Sequence, residues 1–177
     1  DSLRFILLGD VDEFDQWGHE YVSSLAGEVG AEYQHRWNEN PDLRDDEVID
    51  LLTLVNKIVP YFIKCHAEPE ACDLLLETEK LEQIIDFCEQ SNVHRICPYL
   101  MSVSKFTLEP EDAQIQRIVY NMYYKLQKFP ESLRVALQLN DRALINQSFK
   151  TCADSLTRKQ MAFMLGRHNT KVNLDGS

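Results

Sequence analysis

His19 and Glu20 open like the zinc-protease motif H-E-x-x-H, in which two histidines one helical turn apart grip the metal and the glutamate serves as base. Position 23 is serine, so the second ligand is missing, and a surface or helix-contact histidine is the simpler reading. Cys88, His94 and Cys97 lie within ten residues and could supply three zinc ligands. A structural site takes four, and no convincing fourth lies nearby in sequence. Cysteine is also a common buried residue in helical cores, and packing explains both thiols equally well. Cys65-His66, and Cys97 with His94, contain the residue types of a nucleophile and its base. Sequence neighbours point in different directions on a helix, and the oxyanion hole that such a nucleophile needs is often built at a glycine-bearing turn. There is no G-x-S-x-G and no glycine-rich phosphate cradle. The residues therefore predict no catalytic group, no cofactor and no metal; a hydrolase or a metal-binding domain remains the distant alternative.

Charge is the stronger signal. The net charge is −11, but it is unevenly placed. Residues 1–50 carry fourteen acids against three bases, and residues 51–116 eleven against five. Residues 117–171 reverse the sign, with three acids against ten bases. A chain acidic overall repels nucleic acid and anionic lipid, so neither is expected as a partner. Within the basic end, Arg142, Arg158 and Arg167 are the candidates for a partner-facing surface, with Arg134, Lys150 and Lys159 nearby in sequence. A merely solvated face is the alternative. The longest apolar run, Ile58 to Ile63, falls far short of the ~20 residues that span a bilayer. The five cysteines are odd in number and loosely spaced, which fits reduced thiols in a cytoplasmic and nuclear protein. Opening on Asp1 and closing on Gly176-Ser177, the sequence reads as a trimmed piece of something longer.

Helices must carry these residues. Glycine and proline number only six each, too few for a turn-rich β-fold, and apolar positions recur with helical spacing. The clearest stripe is Ile115, Ile118, Val119, Met122, Tyr123 and Leu126. A second, Val48, Leu52, Val55, Val59 and Phe62, is interrupted by Pro60, where a kink is expected. The spacing predicts helices over 15–37, 45–65, 67–77, 79–88, 91–106, 110–128, 130–139, 141–151 and 155–166. Pro69 and Pro130 fit first turns, Asn140 can cap the next helix, Asp154-Ser155 the last, and Gly166 a left-handed stop. Gly27 and Gly30 inside the first long helix suggest a close helix approach. Short connections fold neighbours back on one another, pairing 45–65 with 67–77, 79–88 with 91–106, 110–128 with 130–139 and 141–151 with 155–166. The expected fold is all-α, stacked antiparallel helical hairpins of α-solenoid type. It forms one domain over 1–168, with an acidic helix 15–37, a loop 38–44, the stack 45–166 and a frayed tail 169–177. No fixed-period consensus is visible.

Several colinear stretches resemble a known family. They are Trp17-Gly18-His19-Glu20-Tyr21-Val22 with Leu25-Ala26-Gly27-Glu28, then Ile58-Val59-Pro60-Tyr61 and Glu70-Ala71-Cys72-Asp73-Leu74-Leu75. Phe129-Pro130-Glu131-Ser132-Leu133-Arg134 follows, running into Ala136-Leu137-Gln138-Leu139-Asn140-Asp141. The last is Lys159-Gln160-Met161-Ala162-Phe163-Met164-Leu165-Gly166-Arg167-His168. Together they resemble the large non-ATPase scaffold subunit of the proteasome regulatory particle base. That resemblance implies a helical region before a toroid of proteasome/cyclosome repeats, and a non-catalytic role supporting degradation of ubiquitinated proteins. It implies proteasomal ATPase subunits and other regulatory-particle proteins as partners. Ubiquitin and ubiquitin-like proteins would bind on regions outside this segment, so no receptor residue is carried over. The alternative is a solenoid segment of another large assembly, such as the lid-type complexes.

Overall fold

The computed structural model describes residues 2–8, 18–40 and 44–168, and among them every regular element is a helix. The chain divides into two compact units, Asp1–Phe87 and Cys88–Ser177.

In the first unit, α1 (Ser2–Leu8) rests on α2 (His19–Glu39), which packs against α3 (Ile49–Lys64) and α4 (Glu68–Glu77). α2 buries Val22, Leu25, Ala26, Val29, Gly30 and Tyr33, a stripe stepping i, i+3, i+4, i+7, i+8, i+11. Leu3 and Ile6 of α1 are buried, and the Leu3 N–H donates to the Glu28 carboxylate at 2.7 Å. Near the end of α2, Arg36 donates to Glu32 at 2.9 Å and forks onto Asp50 at 3.0 and 3.1 Å, fastening α2 to the first turn of α3. Gly30 sits under Glu77 of α4: a Cβ there would lie 2.9 Å from the Glu77 Cδ. The close approach expected at the glycines is thus real at Gly30. Gly27 has nothing within 4 Å of its would-be Cβ. α3 runs unbroken through Pro60, which lies on its exposed side, where the freed Asn56 carbonyl can face water.

The second unit contains α6 (Val93–Ser104), α7 (Glu111–Lys125), α8 (Phe129–Gln138), α9 (Arg142–Thr151) and α10 (Ser155–Arg167). α7 is flanked by α6 and α8, and α8 by α9. The α7 stripe is buried at Ile115, Ile118, Val119 and Met122, as its spacing predicts, while Tyr123 and Leu126 are half-buried. Tyr120 is buried as well and anchors a polar chain. Ser132 and Ser148 hydroxyls meet at 2.9 Å, Ser148 donates to the Tyr120 hydroxyl at 3.0 Å, and Tyr120 donates to the Leu144 carbonyl at 3.1 Å. The chain ties α7, α8 and α9 and leaves no buried hydroxyl in it unpaired.

Four helices end on a left-handed residue that is not glycine. His66, Glu79, Gln127 and Asn140 have φ of 59°, 56°, 57° and 52°. Each stands two residues beyond its helix, and the same two backbone bonds close each corner. After α3 these are His66 N–H to Ile63 at 3.2 Å and Ala67 N–H to Phe62 at 2.8 Å; after α7, Gln127 to Tyr124 at 3.0 Å and Lys128 to Tyr123 at 2.8 Å. This is the Schellman pattern. The α3–α4 and α7–α8 hairpins consequently stand in register at an offset of 61 residues, from His66 to Gln127 and from Glu79 to Asn140. Pro69 matches Pro130, both in a first turn, and the buried Leu54, Ile58, Ala71 and Leu74 match the buried Ile115, Val119, Ser132 and Val135. The repeat escapes a sequence comparison because its buried positions agree in burial, not in residue type.

Four expectations are corrected. The helix expected over 79–88 is a 3-10 turn, Leu81–Gln83, followed by the single turn α5 (Ile84–Phe87). Asn140 takes the left-handed corner, and Asp141 caps α9 instead, accepting from the Ala143 and Leu144 N–H groups. Gly166 lies inside α10, which runs to Arg167 and stops on the His168 N–H without a left-handed residue. α10 packs chiefly on α8 rather than pairing with α9, because Met161 and Leu165 are the side chains that it buries. Residues 15–17 of the helix expected over 15–37, part of the loop expected over 38–44 and the tail 169–177 lie outside the described residues.

Candidate partner-facing surface

Among the residues that suggest chemistry, His19, Cys88 and Cys97 are held in packing contacts, while Cys65, His66 and His94 are exposed. The His19 ring lies 5.8 Å from Phe62 and 6.3 Å from Tyr61, an aromatic contact between α2 and α3. Cys88 and Cys97 are buried while His94 is exposed on α6, so the three do not converge. A hydrogen bond with Cys97 holds the Cys88 thiol below its ordinary range, against the effect of burial. Burial, the Cys97 charge and a hydrogen bond with Cys97 all push the Tyr123 hydroxyl up. Cys65 is exposed, and its neighbour His66 occupies the left-handed corner. Among the described residues no group of three His, Cys, Asp or Glu could hold a metal ion. No described helix is long and apolar enough to cross a membrane.

Arg142, Arg158 and Arg167 are all exposed, on two helices and at different angles round them. Arg142 opens α9. Arg158 and Arg167 are nine residues apart on α10, which places them half a turn out of phase. Arg158 turns back over the Phe149 ring of α9, 5.4 Å from its centroid, a cation–π contact. Arg167 instead joins a shallow groove along the outer face of α10 lined by Leu156, Lys159, Gln160, Phe163 and Met164. Leu156 and Phe163 are 75% and 82% exposed there.

Why these side chains lie outward follows from the helix. The run Met161-Ala162-Phe163-Met164-Leu165 wraps all the way round α10. Met161 and Leu165 face α8 and are buried, so Phe163 must point away. Charge reasoning finds Arg167 but misses Leu156 and Phe163. The available signal was the run itself, since a helix apolar on every side is one that expects to be covered on every side. α9 and α10 together carry Arg142, Lys150, Arg158, Lys159 and Arg167 and no acidic residue. The carboxylates nearest in sequence are the caps, Asp141 and Asp154. Asp141 is held below the usual carboxylate range: burial would raise it, but the Leu144 and Ala143 N–H groups and Arg117 outweigh that.

Fold and surface define an all-α chain of helical hairpins with a mixed basic and apolar face at α9–α10. The whole chain, residues 1–177, matches the family model described as RPN1 N-terminal domain. It is 37% identical over 175 residues to the 26S proteasome non-ATPase regulatory subunit 2 homolog A of Arabidopsis thaliana, covering 99% of this chain and 19% of that protein. To the 26S proteasome non-ATPase regulatory subunit 2 of Dictyostelium discoideum it is 39% identical over 168 residues, 94% of this chain and 18% of that one. To the 26S proteasome regulatory subunit rpn1 of Schizosaccharomyces pombe it is 34% identical over 174 residues, covering 98% and 19%. The chain therefore belongs to the RPN1 N-terminal domain family. It spans about a fifth of the length of these relatives.

Proposed function

We propose that this chain is a non-catalytic scaffold segment of the proteasome regulatory particle. It supports ATP-dependent degradation of ubiquitinated proteins by positioning neighbours, among them the ATPase subunits, through protein–protein contacts. Its relatives are named as non-ATPase regulatory subunits of the 26S proteasome, and Cys88, His94 and Cys97 do not converge on one site. The observation that carries the reading is the surface of α9 and α10, five cations with no acidic residue in either helix. Such a face in an otherwise acidic chain orients the segment towards an acidic protein neighbour. Ubiquitin and ubiquitin-like proteins engage regions outside residues 1–177. Five free thiols suit the reducing cytoplasm and nucleus.

The test reverses Arg142→Glu, Arg158→Glu and Arg167→Glu together in the full-length protein. Circular dichroism is expected to stay unchanged while recovery of the ATPase subunits in a pull-down falls. The loss should be clearest at low salt, because contacts of this kind are screened beyond ~8 Å at physiological ionic strength. Unchanged recovery at every salt concentration would reduce the basic face to a solvated surface.

A further inference from the structure

Cys88 and Cys97 are 2% and 0% exposed, and the fold sets them against each other. Cys88 lies in the non-helical stretch that leads into α6, and Cys97 in the second turn of that helix. Asn92 makes the stretch double back. Its side-chain carbonyl accepts from the Glu89 N–H at 2.8 Å, and the Glu89 carbonyl accepts from the Val93 N–H at 3.0 Å. Gln90 donates to the Leu126 carbonyl at 3.1 Å, which fixes the stretch beside the end of α7. The Cys88 and Cys97 thiols consequently share a hydrogen bond, and the Tyr123 hydroxyl of α7 hydrogen-bonds Cys97 as well. Cys152, equally buried, instead aims its thiol at the Asp154 carbonyl, 3.7 Å away. A hydrogen-bonded thiol pair with one member on a non-helical stretch is placed to close to the ~2 Å of a disulfide bond.

We propose that Cys88 and Cys97 form a reversible oxidation site, which hydrogen peroxide converts into an intramolecular disulfide. The Cys88 sulfur attacks one peroxide oxygen and the O–O bond breaks. The thiol proton goes to the leaving oxygen, giving a sulfenic acid and one water. Cys97 then attacks the sulfenic sulfur. The S–S bond forms, the S–O bond breaks, and the Cys97 proton leaves with the hydroxyl as a second water. Two thiols are oxidised and one peroxide is reduced, so the step needs no other reagent. Cys88 takes the first step for two reasons. Its hydrogen bond with Cys97 holds the thiol below its ordinary range, against burial and with help from the Lys125 charge, and the thiolate is the attacking form. Glu89 and Gln90 beside it are exposed, so a local opening of the stretch admits a small oxidant without unfolding α6. Cys97, held within the helix, is the resolving thiol. A reducing environment returns the pair to thiols by exchange.

The experiment treats the reduced full-length protein with graded hydrogen peroxide and maps its cysteines by mass spectrometry, before and after dithiothreitol. The expected product is a Cys88–Cys97 disulfide peptide, lighter by two hydrogens, that disappears on reduction. It should form several-fold faster than any oxidation of the buried Cys72 or Cys152. Cys97→Ser keeps a hydrogen-bond donor beside Cys88 but removes the resolving sulfur, so Cys88 should accumulate as a sulfenic acid that dimedone captures. Cys88→Ser should lower dimedone labelling of Cys97 several-fold relative to that of Cys88 in the first variant. The measurement on the unsubstituted protein stands even where a serine variant fails to fold. Oxidation of the exposed Cys65 alone, with Cys88 and Cys97 left as thiols, would overturn the assignment. So would a Cys88–Cys97 disulfide that forms only after urea has unfolded the chain, or one that forms no faster than Cys72 and Cys152 oxidise.

Discussion

Two glycines three residues apart on α2 meet opposite surroundings. Gly27 faces open space, so a methyl group there adds helix propensity at no steric cost. Gly27→Ala is expected to stabilise the protein by roughly 0.5–1 kcal/mol in chemical denaturation. At Gly30 the added Cβ must displace the Glu77 carboxylate, so Gly30→Ala should gain clearly less than Gly27→Ala or lose stability. Equal gains at both positions would contradict the close approach of α2 and α4. Glu77 itself reports on that contact. Burial, with help from the Asp73 charge, raises its carboxyl above the ordinary range. A folded value above the unfolded one means that its contribution to stability is complete below about pH 4 and is lost as the pH rises through the raised value. Glu77→Gln should therefore raise the melting temperature at pH 7 and leave it almost unchanged near pH 4. A gain of the same size at both pH values would show that the effect is not electrostatic.

Among the elements, helix starts and stops were readable to within a few residues, but the way that most helices stop was not. Pro69 and Pro130 fix φ for a first turn, and Asp154 accepts from the Thr157 N–H at 2.7 Å; each is a residue type with one job. The stops are made by backbone bonds around His66, Glu79, Gln127 and Asn140, and three of those four residue types carry no turn signal. A left-handed conformation costs an L-residue about 1 kcal/mol relative to glycine. Gln127→Gly and Glu79→Gly should each stabilise the fold by up to about 1 kcal/mol in urea titrations. Asn140→Gly should do less, because asparagine tolerates that region better. Destabilisation by all three would mean that the side chains, not the corners, hold those turns. The core face of α7 was legible from spacing alone. Ile118→Asp buries a carboxylate with no partner and should cost several kcal/mol, whereas Gln116→Asp, half-buried on another side, should stay within about 0.5 kcal/mol. Equal melting temperatures would refute the burial pattern. On α10 five consecutive apolar residues give no phase, and only the position of α8 decides which of them face outward.

For the whole molecule, composition excluded a β-fold, and charge located the basic end. Neither could reveal the 61-residue register of the two hairpins, which resides in dihedral angles and burial. Four of the five cysteines are buried as free thiols, and among the described residues no cluster could hold a metal, so the stability of the described part is expected to rest on apolar packing. Incubation with EDTA should leave both the circular dichroism spectrum and the melting temperature unchanged, while a chelator-induced loss of helix would reveal a structural metal.

The three-residue corners also bear on how the protein is made. Each joins helices that are neighbours in sequence, so a hairpin closes over a short loop and its ordering cost is small. Every helix of the first unit finds its main partners among residues 2–87. During synthesis those partners have all been translated before the basic end of the chain is begun. The acidic half can close on itself while most of the segment of opposite charge is still to be made.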